Sequence, residues 1–146
     1  MNFLGIDPGK SGGLALLTKG GACAYVTKMP ATETDLLTTL KAWKTWSSLE
    51  GVFATLEYVR SSPQMGVKSA FTFGQNYGSI RTALAAAKIP FEEVTPAKWQ
   101  GALRCRSKGD KNVTKRKAQE LFPEEKVTHA IADALLIAEY GRRTRA

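Results

Sequence analysis

Histidine is almost absent from this sequence: His129 is the only one in 146 residues, which excludes a metal site built on several imidazoles. Cysteine is nearly as scarce. Cys23 and Cys105 stand far apart and form no C-x-x-C pair, which argues against a thiolate zinc site or a disulfide framework and suits a reducing compartment such as the cytoplasm. No apolar run approaches the ~18 residues needed to span a bilayer, so a membrane protein is not expected. The opening Met1-Asn2-Phe3-Leu4-Gly5-Ile6-Asp7 has neither a basic region nor a cleavage site and reads as a strand, not a signal peptide. Internal repeats and low-complexity tracts are missing too. With 43% hydrophobic and 23% charged residues, disorder, collagen and coiled coil are excluded, and one globular domain over residues 1–146 is expected.

Positive charge is in excess. The formal net charge is +8, and the surplus is concentrated: Arg104, Arg106, Lys108, Lys111, Lys115, Arg116 and Lys117 face Asp110 alone within one short segment. Such a segment attracts polyanions by releasing their counterions, and nucleic acid is the commonest polyanion. Charge by itself is equally consistent with a solvated loop and helix face.

The pattern of elements is that of a mixed α/β sheet covered on both faces. Phe3–Ile6, Leu14–Leu17 and Ala22–Val26 read as strands joined by the turn clusters Pro8-Gly9-Lys10-Ser11-Gly12 and Lys19-Gly20-Gly21, an antiparallel meander. Leu36, Leu37, Leu40 and Trp43 predict a helix from Thr34 to about Ser47. The apolar run Val52–Glu57 is a fourth strand, and Ile89–Val94 a fifth. Between them a long helix is predicted over Val67–Ala87, with Phe73, Tyr77, Ile80 and Leu84 as its core stripe; Ala70, Gly74, Gly78 and Thr82 share another face, fit either for a partner helix or for internal packing. Thr95-Pro96 starts a short helix to Leu103. A helix to Leu121 follows the basic loop, and a last one runs from about Thr128 to Gly141.

Three carboxylates lie where acids are costly. Asp7 and Glu57 each close an apolar strand, and Asp133 interrupts Ala130-Ile131-Ala132-Asp133-Ala134-Leu135-Leu136, a helix apolar almost all round. An isolated buried carboxylate is unfavourable by several kcal/mol, and no local partner is evident; Lys10 and Arg60 are loop residues that can reach solvent. A divalent cation would compensate all three acids at once, and hard oxygen donors suit Mg²⁺ or Mn²⁺. His129 lies one helical turn before Asp133. It is a candidate metal ligand, general base or phosphate contact. Taken singly, each acid is as well explained by a solvated strand or helix end; the argument rests on the three together.

These residues carry a resemblance. Leu4-Gly5-Ile6-Asp7-Pro8-Gly9, Leu56-Glu57, Gly74-Gln75-Asn76-Tyr77-Gly78 and Ala132-Asp133-Ala134-Leu135 resemble, in this order and over most of the chain, the RuvC-type Holliday-junction resolvases of the RNase H-like superfamily. The resemblance implies an RNase H-like fold with a five-stranded mixed sheet, antiparallel meander plus parallel strands, and helices on both faces. It implies a crossover-junction endodeoxyribonuclease that hydrolyses phosphodiesters with two Mg²⁺ ions, Mn²⁺ being able to substitute, held by Asp7, Glu57 and Asp133, and leaves 5′-phosphate and 3′-hydroxyl ends. The family's remaining active-site acid or histidine falls three residues before the last aspartate, at Ala130 here, so His129 stands one position away. Lys108, Lys111, Lys115 and Arg116 lie where the family keeps DNA-contacting lysines. The Tyr58–Met65 loop is a candidate for probing the junction centre, with Tyr58, Phe71 and Phe73 able to stack on bases. Branched DNA and a second copy of the chain are the implied partners. The compact size is compatible with a bacterial or bacteriophage source and decides neither.

Other readings fail on spacing. Gly5-Ile6-Asp7-Pro8-Gly9-Lys10-Ser11 is one residue short of a P-loop and would set Asp7 against the phosphates, so no nucleotide cofactor is expected. A sugar-kinase or actin-like ATPase needs two such domains. No G-x-S-x-G elbow supports a serine hydrolase. The remaining competitors are an RNase H-like nuclease for flaps, other branched DNA or RNA–DNA hybrids, and a non-catalytic junction-binding protein; the latter would gain nothing from three acids beside DNA.

Overall fold

Strand β1 (Asn2–Asp7) ends at a turn in which Gly9 adopts φ +100°, a left-handed conformation open to glycine, and β2 (Gly13–Leu17) returns antiparallel with Asp7 opposite Gly13. A second turn leads to the antiparallel β3 (Cys23–Lys28). The chain then crosses in helix α1 (Glu33–Trp46), capped by the Thr32 hydroxyl, to β4 (Val52–Glu57), which pairs parallel with β1. Helix α2 (Val67–Ala86) makes a second crossover to β5 (Phe91–Val94), parallel to β4. The sheet order is β3-β2-β1-β4-β5. Helices α3 (Pro96–Ala102), α4 (Lys111–Leu121) and α5 (His129–Arg145) complete the chain. This computed structural model describes residues 1–145. Among them no helix is long and apolar enough to cross a membrane.

Side-chain alternation sorts the strands into two cores. Leu4, Ile6, Leu14, Leu16, Ala54 and Leu56 point to one face and pack under α1 and α2, against Leu36, Leu40, Ile80 and Leu84. Ala15 and Leu17 point to the other, where α5 lies with Trp99 of α3 and Ala118 of α4. On that second face the central strand presents Gly5, and there the helix comes down onto the backbone itself. A Cβ on Gly5 would collide with the main chain of Ala134 and Ala138, and one on Gly13 would sit 2.6 Å from the Ala130 carbonyl oxygen. Residue 5 therefore lies under Ala134 and Ala138, and the Asp7–Gly13 pair lies under Ala130, so α5 runs antiparallel to β1.

The structure departs from the sequence reading at several ends. Helix α5 does not stop at Gly141 but continues to Arg145. Gly141 is buried and serves close approach: a Cβ there would meet Thr55 Oγ1 at 2.5 Å. The last turn is secured by Glu139, 4% exposed, whose carboxylate takes Arg142 Nε at 2.7 Å and Arg143 Nε at 2.6 Å. Arg142 also reaches the Lys19 carbonyl in the β2–β3 turn, at 3.4 Å. Strand β5 begins only at Phe91, after Pro90. In α2 the core stripe holds for Ile80 and Leu84, whereas Phe73 and Tyr77 are only partly covered and Tyr77 Oη donates to Glu93 Oε2 at 2.7 Å. The small-residue face of α2 is open: a Cβ on Gly74 or Gly78 would meet nothing within 4 Å.

The direct seating of α5 makes a stability prediction. Gly5→Ala should destabilise the fold by about 1–3 kcal/mol or more, since backbone has no rotamer by which to yield. Gly20→Ala, whose added Cβ meets no neighbour closer than 3.9 Å, should be near neutral. Urea midpoints at unchanged slope measure both.

Candidate active site

Register brings the first two acids together. Ile6 pairs with Leu56 in the parallel β1–β4 ladder, so Asp7 and Glu57 leave the sheet side by side at its carboxyl edge. Directly opposed residues of an antiparallel pair project to one face, so Asp7 shares the face of Gly13, beneath the first turns of α5. Glu57 follows Thr55, which meets Gly141 on the same face. Asp133 comes down from α5 itself. Three elements remote in sequence thus deliver three carboxylates to one place.

Their ionisation records the crowding. Asp7 is pushed up to about 8, first by burial, then by the charges of Asp133 and Glu57, with Lys111 opposing. Glu57 rises to about 7 through burial and the charge of Asp133, against a hydrogen bond from Trp99 that draws it back. Asp133 is raised by burial, with the Thr114 hydroxyl, Lys111 and His129 pulling the other way. Its Oδ1 is buried without any hydrogen-bond partner. Each direction is the one expected when like charges are taken out of water together.

The local partners that the sequence did not reveal come from far along the chain. The Trp99 indole Nε1–H donates to Glu57 Oε2 at 2.7 Å, across 42 residues. Thr114, buried in the first turns of α4, donates its hydroxyl to the Lys111 carbonyl at 3.3 Å and lies near enough to Asp133 to draw its pKa down. A buried tryptophan needs an acceptor for its N–H, and that general requirement was the one signal in the sequence that could have found Trp99. Lys10 and Arg60 are exposed, and Arg60 lies over the Tyr58 ring.

The positively charged residues separate into two groups. Lys111, at the first position of α4, is the cation felt by Asp7 and Asp133, and His129, exposed at the first position of α5, lies beside Asp133. Lys108 is exposed in the loop before α4, Arg116 is exposed on that helix, and Lys115 is partly covered. Ala130, where the resemblance expects a functional side chain, contributes only its carbonyl, seated over Gly13. Tyr58 and Phe71 are exposed, Phe71 to 72%.

As the side chains lie, no three His, Cys, Asp or Glu groups among the described residues form a ready chelating set. The acids nevertheless feel one another's charge, and Asp133 Oδ1 is buried with no donor. A cluster of hard oxygens, mutually charged and short of protein donors, suits a divalent cation.

The chain is similar to Thermus thermophilus RuvC with a TM-score of 0.66 at 20% identity, over 99% of this chain and 96% of that one. The fold is that of RuvC. A second structure, T. thermophilus RuvC in complex with Holliday junction substrate, matches with a TM-score of 0.67 at 18% identity, over 99% of this chain and 95% of that one. No protein-family profile and no curated protein sequence matches the chain. The expected five-stranded mixed sheet of the RNase H-like fold, with helices on both faces, is therefore observed.

The acids carry a pH prediction for the metal-free protein. Asp7 holds its proton more tightly folded than unfolded, so its burden is absent below about 3.8, where both states are protonated. It grows as pH rises and is complete above about 8. At about 1.4 kcal/mol per unit the burden reaches a few kcal/mol. In EDTA, Asp7→Asn should melt roughly 5–10 °C above wild type at pH 8 and at the same temperature near pH 4, as followed by circular dichroism.

Proposed function

We propose that this chain is a structure-selective, metal-dependent DNA endonuclease that resolves four-way (Holliday) junctions as a homodimer. The observation that carries the reading is the convergence of Asp7, Glu57 and Asp133, from three separated elements of a RuvC fold, around a carboxylate oxygen that no protein donor satisfies. A fold-only relative would have no use for that concentration of buried negative charge. The junction as substrate is carried over from the T. thermophilus complex, whose fold this chain shares.

Asp7, Glu57 and Asp133 are the residues that would hold Mg²⁺, or Mn²⁺ in its place, with His129 at the rim as a further ligand or proton acceptor. Bound there, two such ions would supply Lewis acidity to activate water and to offset charge on the departing 3′ oxygen of the scissile phosphodiester. Trp99 donates to Glu57, and Thr114 lies beside Asp133. Lys111 places a cation beside them, where a scissile phosphate brings further negative charge. Lys108, Lys115 and Arg116 hold the backbone on either side, a contact that fixes position without reading bases. The exposed front of α2, with Val67 88% and Phe71 72% exposed and the open face at Gly74 and Gly78, supports pairing of two chains, which suits a substrate with two equivalent strands to cut.

Three outcomes test this function. With matched four-way junction, flap, linear duplex and RNA–DNA hybrid, wild type should cleave the junction fastest in Mg²⁺ and nothing in EDTA. Asp7→Asn should abolish cleavage while keeping junction affinity; equal loss of both would remove the catalytic assignment. Neutralising Lys108, Lys115 and Arg116 should weaken junction binding and flatten its dependence on log salt by about 0.9 for each phosphate no longer neutralised, measured by fluorescence anisotropy over a salt series. An unchanged slope would make those residues ordinary surface.

A further inference from the structure

Trp99 sits on α3, a helix of seven residues begun by the Thr95 cap and Pro96. Its ring is fully buried, at 0% exposure, in the core formed with Val94, Leu103 and the apolar side of α5. The next residue, Gln100, braces the helix by accepting the Ser107 amide at 3.2 Å. A ring held on all sides is a donor whose direction cannot drift. Its one polar atom is spent on Glu57 Oε2, at 2.7 Å, shorter than the ordinary N–H···O spacing of about 2.9 Å and typical of a charged acceptor.

The choice of donor has a consequence. A lysine or arginine in this position would orient Glu57 but also cancel its charge, and so compete with any cation. An indole N–H carries no net charge: it fixes one carboxylate oxygen and leaves the negative charge intact. Oε1 is left without a protein donor among the described residues. Unheld, the glutamate side chain would sample several rotamers, and ordering it would weaken every binding event.

We propose that Trp99 is a positioning residue for Glu57, its indole N–H fixing the carboxylate without neutralising it so that Glu57 is already oriented for a divalent cation. The assignment rests on reading the acids as the cation site. Groups that hold metal ligands in this way typically change metal affinity 10–100-fold when removed.

The test uses the full-length chain with Trp99 replaced by β-(3-benzothienyl)alanine, which keeps the ring's size but has sulfur in place of N–H, and Trp99→Phe as a second variant. Mn²⁺ affinity is measured by calorimetry, and the indole N–H resonances of ¹⁵N-labelled wild type are followed with Mg²⁺ and in Glu57→Gln. The isostere should melt within a few degrees of wild type, bind Mn²⁺ at least about 10-fold more weakly, and recover junction cleavage at saturating Mn²⁺. Trp99→Phe should show the same loss of affinity. The Trp99 resonance should move with Mg²⁺ and in Glu57→Gln, while those of Trp43 and Trp46 stay in place. An isostere that binds Mn²⁺ as tightly as wild type overturns the assignment and leaves the nuclease reading standing. Wild type that binds no Mn²⁺ overturns both.

Discussion

One helix rests on the backbone of two strands with no side chain between them, and the candidate site depends on that contact. Gly5 and Gly13 let the main chain of α5 descend onto β1 and β2, and the descent carries Asp133 to the edge where Asp7 and Glu57 leave the sheet. Parallel pairing of β1 with β4 supplies the other half of the arrangement, because register alone sets those two acids abreast. The resulting cluster works against the fold that creates it. Burial raises all three acids, and the charge of neighbouring carboxylates raises Asp7 and Glu57 further, a burden of the kind that functional sites place on otherwise consistent structures.

The same helix holds an internal control. Glu139, less exposed than Asp133, is met by the guanidinium groups of both Arg142 and Arg143, and these pull its carboxyl below the usual range despite burial. That is how this chain treats a buried acid whose role is structural: it is paired fully and locally. Asp133, on the same helix, has Thr114, Lys111 and His129 near it, yet keeps one oxygen without a donor. The contrast between two acids on one helix is stronger support for a missing counter-charge than either acid alone, since incomplete pairing of buried charge is rare where nothing is meant to bind.

Much of this was legible in the sequence because it is written in local terms. Turn glycines announced the meander, apolar runs announced the strands, and an acid closing an apolar strand is anomalous without any structure. The basic segment from Arg104 to Lys117, half loop and half α4, was equally plain. What was hidden depends on contacts across the fold. The Trp99–Glu57 bond spans 42 residues, and nothing in either neighbourhood names the other. Lys111, read as a DNA contact, also turns out to stand beside the acids because α4 begins there. Gly141 was read as a helix stop, yet it is present so that α5 can lie against Thr55; a glycine that ends a helix and one that admits a neighbour look identical in sequence. The front of α2 follows its predicted periodicity, but only its back half reaches the core.

The clamp at the far end of α5 has a bearing on proteolysis. A cut after Gly141 would remove neither the three acids nor any residue of the basic segment, so a gel or a sequence comparison would suggest an intact site. It would nevertheless strand the Glu139 carboxylate, 4% exposed, without either arginine, and release the tie from Arg142 to the β2–β3 turn. An orphaned buried charge of that kind is worth several kcal/mol of destabilisation. Nicking in the tail would therefore unseat, from a distance, the helix that carries Asp133, and leave every residue of the acid cluster in the chain but its geometry loosened.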